Sequence, residues 1–194
     1  MKKVLLVVLI IILAVAWSFR FHSINRNIVL PFVQVFTKGI QVPIEKDFFI
    51  TSDENMDGYT VTVISAELLT AEDFLTRFNS SELIDLLGIF TDHIYEVRVL
   101  IENRNNPFIN ESGIPLGYYD LKGIDYILSL DAICFKLANP DMPGTSFSIR
   151  EGTCIEIILP FDVMSSQTSP THLKKHPPLL QISLYPHQKL IELY

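Results

Sequence analysis

The chain has 194 residues, enough for one domain plus an N-terminal extension. At 48% apolar content it can bury a core, which argues against global disorder. With 22 acidic residues against 15 basic ones, a net charge of −7 and no cluster of Lys and Arg, the surface disfavours nucleic acid and permits a basic partner or a divalent cation.

The chain opens with Lys2 and Lys3, followed by an unbroken apolar run from Val4 to Trp17 that Ser18 and Phe19 extend and Arg20 ends. A positive start before such a run is an export signal. Ala14-Val15-Ala16 fits the small-x-small pattern of a signal-peptidase site, which would release a secreted protein cut near Ala16. The 18 residues from Val4 to Phe21 also reach the short end of a bilayer span, with Trp17 at the outer interface. A retained single-pass anchor, N-terminus inside and domain outside, is the favoured expectation. Residues 1–21 are thus a signal anchor or signal peptide, 22–40 a stalk or edge segment, and 41–194 the external domain.

Within residues 22–40, Val29 to Phe36 is apolar, but Pro31 demotes it to an edge strand or extended segment. Beyond it the hydrophobic period is mostly two. Gly39 to Ile44 is a short strand. Gly58 to Leu69 alternates, with Tyr59, Val61 and Val63 on one face and Thr60, Thr62 and Ile64 on the other. Thr70-Ala71-Glu72-Asp73 then reads as a helix start, an acid standing three residues after the Thr, with Phe74 and Phe78 at helical spacing. Ser80 or Ser81 can cap a second piece that Gly88 stops. His93 to Glu102 sets Tyr95, Val97, Val99 and Ile101 against Glu96, Arg98 and Glu102, and Asn103 to Pro107 turns the chain. Ile124 to Leu137 reads as one or two strands. Cys154 to Phe161 alternates, and Leu179–Leu184 with Lys189–Leu193 form a hairpin across Tyr185-Pro186-His187. The expected fold is mainly β: an immunoglobulin-like antiparallel β-sandwich with a short helical insertion, preceded by the N-terminal transmembrane or signal helix.

Met56 to Leu69, Gly152 to Phe161 and Ile182 to Pro186, together with the Lys-Lys anchor, resemble uncharacterised families of Gram-positive, Clostridia-like surface proteins. The resemblance implies export and a single immunoglobulin-like domain, and brings no active site with it.

Asp53-Glu54-Asn55-Met56-Asp57-Gly58 matches the first half of a calcium loop, which would make Asp53, Asn55 and Asp57 oxygen ligands. The second half fails, because Ile64 stands where a bidentate Glu is needed; an acidic solvated turn is the simpler reading. Cys134 and Cys154 can pair outside the cell or stay free as small buried hydrophobes. Tyr118, Tyr119 and Tyr126 can form a contact patch or belong to core and edge. His172 and His176 are four apart, but the surrounding prolines favour a solvated loop over a metal-binding helix. Nucleophile motifs and phosphate-binding glycine loops are absent from the sequence, so no cofactor is expected. The expected function is a non-catalytic surface-displayed module binding a protein, peptide or cell-wall component through loops or a sheet edge. Its alternatives are an accessory subunit of a membrane transporter or signalling complex and a small exported hydrolase.

Overall fold

The computed structural model describes residues 2–26, 32–45, 56–84, 91–108, 110, 113–184 and 187–194. It divides into two compact units, Met1–Pro31 and Phe32–Tyr194.

The first unit is one helix, α1 (Lys2–Asn25). At 1.5 Å per residue it is about 36 Å long. It continues through Arg20 to Asn25, past the end of the apolar run, and stacks Trp17 on Phe21 with centroids 5.3 Å apart. Within Lys3–Asn25 an 18-residue window has mean hydropathy 2.7 and is 0% buried, so the helix is long and apolar enough to cross a membrane.

The second unit is mostly β. Strands β1 (Phe32–Phe36), β6 (Asp120–Lys122), β7 (Ile127–Ser129), β10 (Leu179–Gln181) and β11 (His187–Glu192) form one sheet, ordered β1-β11-β10-β6-β7. Strands β2 (Val42–Ile44), β3 (Tyr59–Thr70), β4 (His93–Asn103) and β9 (Thr153–Val163) form a second, ordered β2-β3-β4-β9. The short β5 (Ile114–Pro115) and β8 (Ser146–Phe147) pair separately. All pairings are antiparallel except β1 with β11, which run parallel from Phe32↔His187 to Phe36↔Ile191. One core draws on both sheets, with Val61, Val97, Leu159 and Phe161 from one, and Leu121, Leu128, Leu180 and Ile191 from the other. Lys189 is a buried cation in this unit: its side chain is 2% exposed and its Nζ donates to the Pro43 carbonyl and to Glu45, each at 2.7 Å. A buried ammonium needs such partners, and this one ties β11 to the edge of the opposite sheet.

The strong alternations hold: Tyr59, Val61 and Val63 on β3 and Val97, Val99 and Ile101 on β4 are buried. The β3–β4 register shifts between Val63 and Ser65, and beyond this bulge the core-facing residues of β3 become Ala66 and Leu68. Helix α2 (Ala71–Arg77) starts as expected, with the Thr70 hydroxyl accepting from the Asp73 amide at 3.0 Å. A single 3-10 turn, Ser81–Leu83, follows it; Gly88 lies outside the described residues.

Two readings are corrected. The run Ile124 to Leu137 is half strand and half helix: β7 is followed by α3 (Ala132–Ala138), whose first turn is capped by Asp131. The prolines around His172 and His176 do not prevent a helix, because Ser169 caps α4 (Pro170–Lys175) and Pro170 occupies its first position, where a missing N–H costs nothing.

Candidate functional site

Every open sheet presents unpaired backbone groups at its edges, and proteins blunt them. The edge strand β2 carries Pro43, which has no N–H to offer. The edge strand β7 is three residues long.

The β9 edge is covered by α3 and its flanks. The Asn139 carboxamide donates to the Ile158 carbonyl at 2.8 Å and accepts from the Ile158 amide at 2.9 Å, mimicking a neighbouring strand. The Asp131 amide donates to the Pro160 carbonyl at 2.9 Å, and Leu130 bridges Phe161.

The fourth edge differs. Strand β1 is five residues, Phe-Val-Gln-Val-Phe, with neither Pro nor charge. Among the described residues, nothing pairs with it opposite β11. Phe32, Val33 and Val35 are 56%, 49% and 55% exposed. Parallel pairing fixes it on one side and, among the described residues, leaves an apolar strand unpaired on the other.

The outer face of β3-β4-β9 carries a second, smaller core of Phe74, Leu75, Ile94 and Cys134 under α2 and α3. Beside it lies a charge ladder. Glu96 is 2% exposed and accepts from Arg77 at 3.0 Å; Arg77 also holds Glu67, and Arg98 lies between Glu96 and Glu156. Burial, with Glu67 nearby, holds the Glu96 carboxyl above the usual carboxylate range against the pull of Arg77 and Arg98. One Glu96 oxygen is buried without a partner among the described residues. Further along β9, burial and the Asp131 carboxyl push the Asp162 carboxyl up to about 7.

The tyrosines do not form a patch. Tyr119 is wholly buried and Tyr126 nearly so, while Tyr118 is half-buried. The Tyr126 hydroxyl donates to the His176 carbonyl at 2.5 Å, and burial pushes it up to about 12. The Tyr126 ring meets His172 edge-on at 5.8 Å, His172 lies 4.9 Å from His176, and His172 Nε2 is 2.9 Å from Asp125. These contacts seat α4 on the β6–β7 turn. Among the described residues no three His, Cys, Asp or Glu side chains are grouped to hold a metal ion.

The cysteines are both free. Cys134 lies buried beside Asp162, and Cys154 is exposed eight residues back along β9, roughly 26 Å away at strand spacing and far beyond disulfide reach. Asp53 and Asn55 of the calcium-loop match lie outside the described residues. Asp57 is exposed in a turn, where its carbonyl accepts from the Asn106 carboxamide at 2.7 Å.

A model for a domain of unknown function, DUF5028, matches residues 33–189. The chain belongs to the DUF5028 family. The DUF5028 match starts inside β1 and ends inside β11, so it runs from one member of the parallel pair to the other and omits α1. No curated protein and no solved structure matches the chain. The sequence signals missed for this region are the Asp131 and Ser169 caps; the bare β1 edge has only the absence of Pro and charge to announce it.

Proposed function

We propose that this DUF5028 protein is a membrane-anchored, non-catalytic interaction module that binds an extended apolar segment of a partner protein or peptide along the free edge of β1. The carrying observation is the contrast between edges: β2, β7 and β9 are blunted, whereas β1 exposes Phe32, Val33 and Val35. Strand addition there supplies main-chain hydrogen bonds for affinity and alternating side-chain contacts for specificity. In this reading α1 is a retained anchor with its N-terminus inside, and the β-rich unit is outside. The resemblance to exported Gram-positive surface proteins supports that placement. Two sheets around one core support an immunoglobulin-like sandwich, with a departure in connectivity: β3 and β4 are consecutive partners in one sheet, whereas the immunoglobulin chain crosses to the other sheet after its second strand.

The test is selection from a random heptapeptide library on the full chain in lipid nanodiscs. Enriched peptides should alternate apolar and polar residues and lose binding at least tenfold to the double variant Val33→Lys, Val35→Lys. Peptides that bind this variant as well as the parent, or no enrichment, would refute the β1 reading.

A further inference from the structure

Strand β1 reads the same in both directions: Phe32-Val33-Gln34-Val35-Phe36. One of its edges is taken by the parallel partner β11, and that register sorts its side chains. Phe36 stands beside the buried Ile191 and packs against the core, so Phe32, Gln34 and Phe36 share the core-side face. Val33 and Val35 stand on the other face.

A second copy laid antiparallel along the open edge, with a two-fold axis at Gln34, finds a matching sequence. Phe32 falls opposite Phe36 of the second copy, Val33 opposite Val35, and Gln34 opposite Gln34. Aromatic meets aromatic and β-branched meets β-branched, pairings that stabilise antiparallel strands. A carboxamide carries both donor and acceptor, so two Gln34 side chains complement each other. An antiparallel two-fold axis passes through either kind of residue pair, hydrogen-bonded or not, so the match holds whichever backbone groups of β1 point outward. No residue of β1 is charged, and the nearest charges in the chain, Arg26 and Lys38, lie beyond its ends, so like charges are not opposed. A slip by two residues would set Phe32 against Gln34 and break the match.

Such a contact uses one patch twice and closes at two chains. Two sheets ordered β1-β11-β10-β6-β7 become one sheet that ends in the three-residue β7 on both sides. The Pro43 of β2 and the Asn139 cover of β9 close the other sheet to further addition. Five residues a side fall well short of the roughly 20–30 of a standard interface. The pairing is therefore weak between freely diffusing chains and needs them held at high local concentration, which α1 supplies as a membrane anchor.

We infer that the occupant of the β1 edge is a second copy of this chain, paired antiparallel through Phe32–Phe36 about a two-fold axis at Gln34. The inference rests on the reading of β1 as a strand-addition site and names its partner.

The experiment is disulfide cross-linking of the full chain in lipid vesicles, in a Cys154→Ser background that removes the exposed native thiol. Directly opposite residues have Cα atoms about 4.5–5.5 Å apart, within disulfide reach. Gln34→Cys should therefore form a covalent dimer about fivefold faster or more than Val33→Cys, which lies roughly 7–8 Å diagonally from its own copy. Mixing Val33→Cys chains with Val35→Cys chains should restore the fast rate, and it decides the register if Gln34→Cys does not fold. Ile127→Cys, exposed on the far edge strand β7, measures random collision. Rates no faster than that of Ile127→Cys, or equal rates at positions 33 and 34, would overturn the inference. Peptide capture with one chain per nanodisc separates the two readings. Capture at β1 without in-register cross-linking keeps the edge site and overturns the second copy as its occupant. Cross-linking in register without capture upholds self-pairing and removes the foreign peptide, and failure of both removes both.

Discussion

Asn103 shows how much one buried polar side chain can organise. It is 0% exposed at the end of β4, yet its carboxamide donates to the carbonyls of Asn106 and Ile149 at 2.9 and 2.8 Å and accepts from the Asn106 amide at 2.8 Å. Asn106 in turn donates to the Asp57 carbonyl. Two carboxamides therefore tie the β4 turn to the loops before β3 and β9. Asn103→Ala removes three hydrogen bonds from a buried turn and should cost roughly 2–3 kcal/mol in urea unfolding. Thr70→Ala, which removes only the α2 cap, should cost about 1 kcal/mol by the same measurement, and Thr70→Ser should restore most of it. The Thr70 cap was legible in the sequence because capping is a local pattern. Asn103 read only as a turn residue, because Ile149, 46 residues on, reaches it only by folding.

At the scale of elements, the charge ladder makes α2 a cover as well as a connection. The β4 alternation separated Val97 and Val99 from Glu96 and Arg98, but alternation alone does not say what covers the charged face. In the fold Glu96 is buried and held by Arg77 from the end of α2. Arg77→Met would strand that carboxylate. The variant should lose about 2 kcal/mol near pH 7 and recover as pH falls and Glu96 takes up a proton. The sign follows from a folded-state titration raised above the unfolded one: stability is present in acid and lost as pH rises through it. Chemical denaturation at a series of pH values reads this directly, and Glu96→Gln in the same background should remove the pH dependence. Long strands were legible because eleven or twelve residues give the period of two many chances to repeat. Helices α3 and α4, at seven and six residues, complete fewer than two turns, so their caps were the stronger signal than their periodicity. The Ile64 bulge, which reverses the β3 alternation, left no composition signal at all.

For the whole molecule, the two cysteines make an internal gauge of topology. Cys154 is exposed and Cys134 buried. If the β-rich unit lies outside, a membrane-impermeant maleimide on intact cells should modify one thiol per chain, Cys154→Ser should abolish the signal, and Cys134 should react only after denaturation. Modification that requires lysis would place the unit on the other side. Replacing α1 by an unrelated membrane helix should leave peptide capture at β1 unchanged, because the family match omits α1; loss of capture would favour an accessory subunit whose anchor makes the contacts. The apolar helix and the β-rich character could be read from the chain. The guarded and unguarded edges could not, since a strand edge exists only once its neighbours are in place.

The parallel alignment of β1 with β11 also has a mechanical meaning. A load applied between the segment entering β1 at Phe32 and the segment leaving β11 at Glu192 draws the two strands past each other lengthwise. Their hydrogen bonds then share the strain together and do not open one after another like a zipper. If α1 is retained as an anchor, as proposed, this arrangement would resist extraction by traction, with β1 acting as a shear clamp.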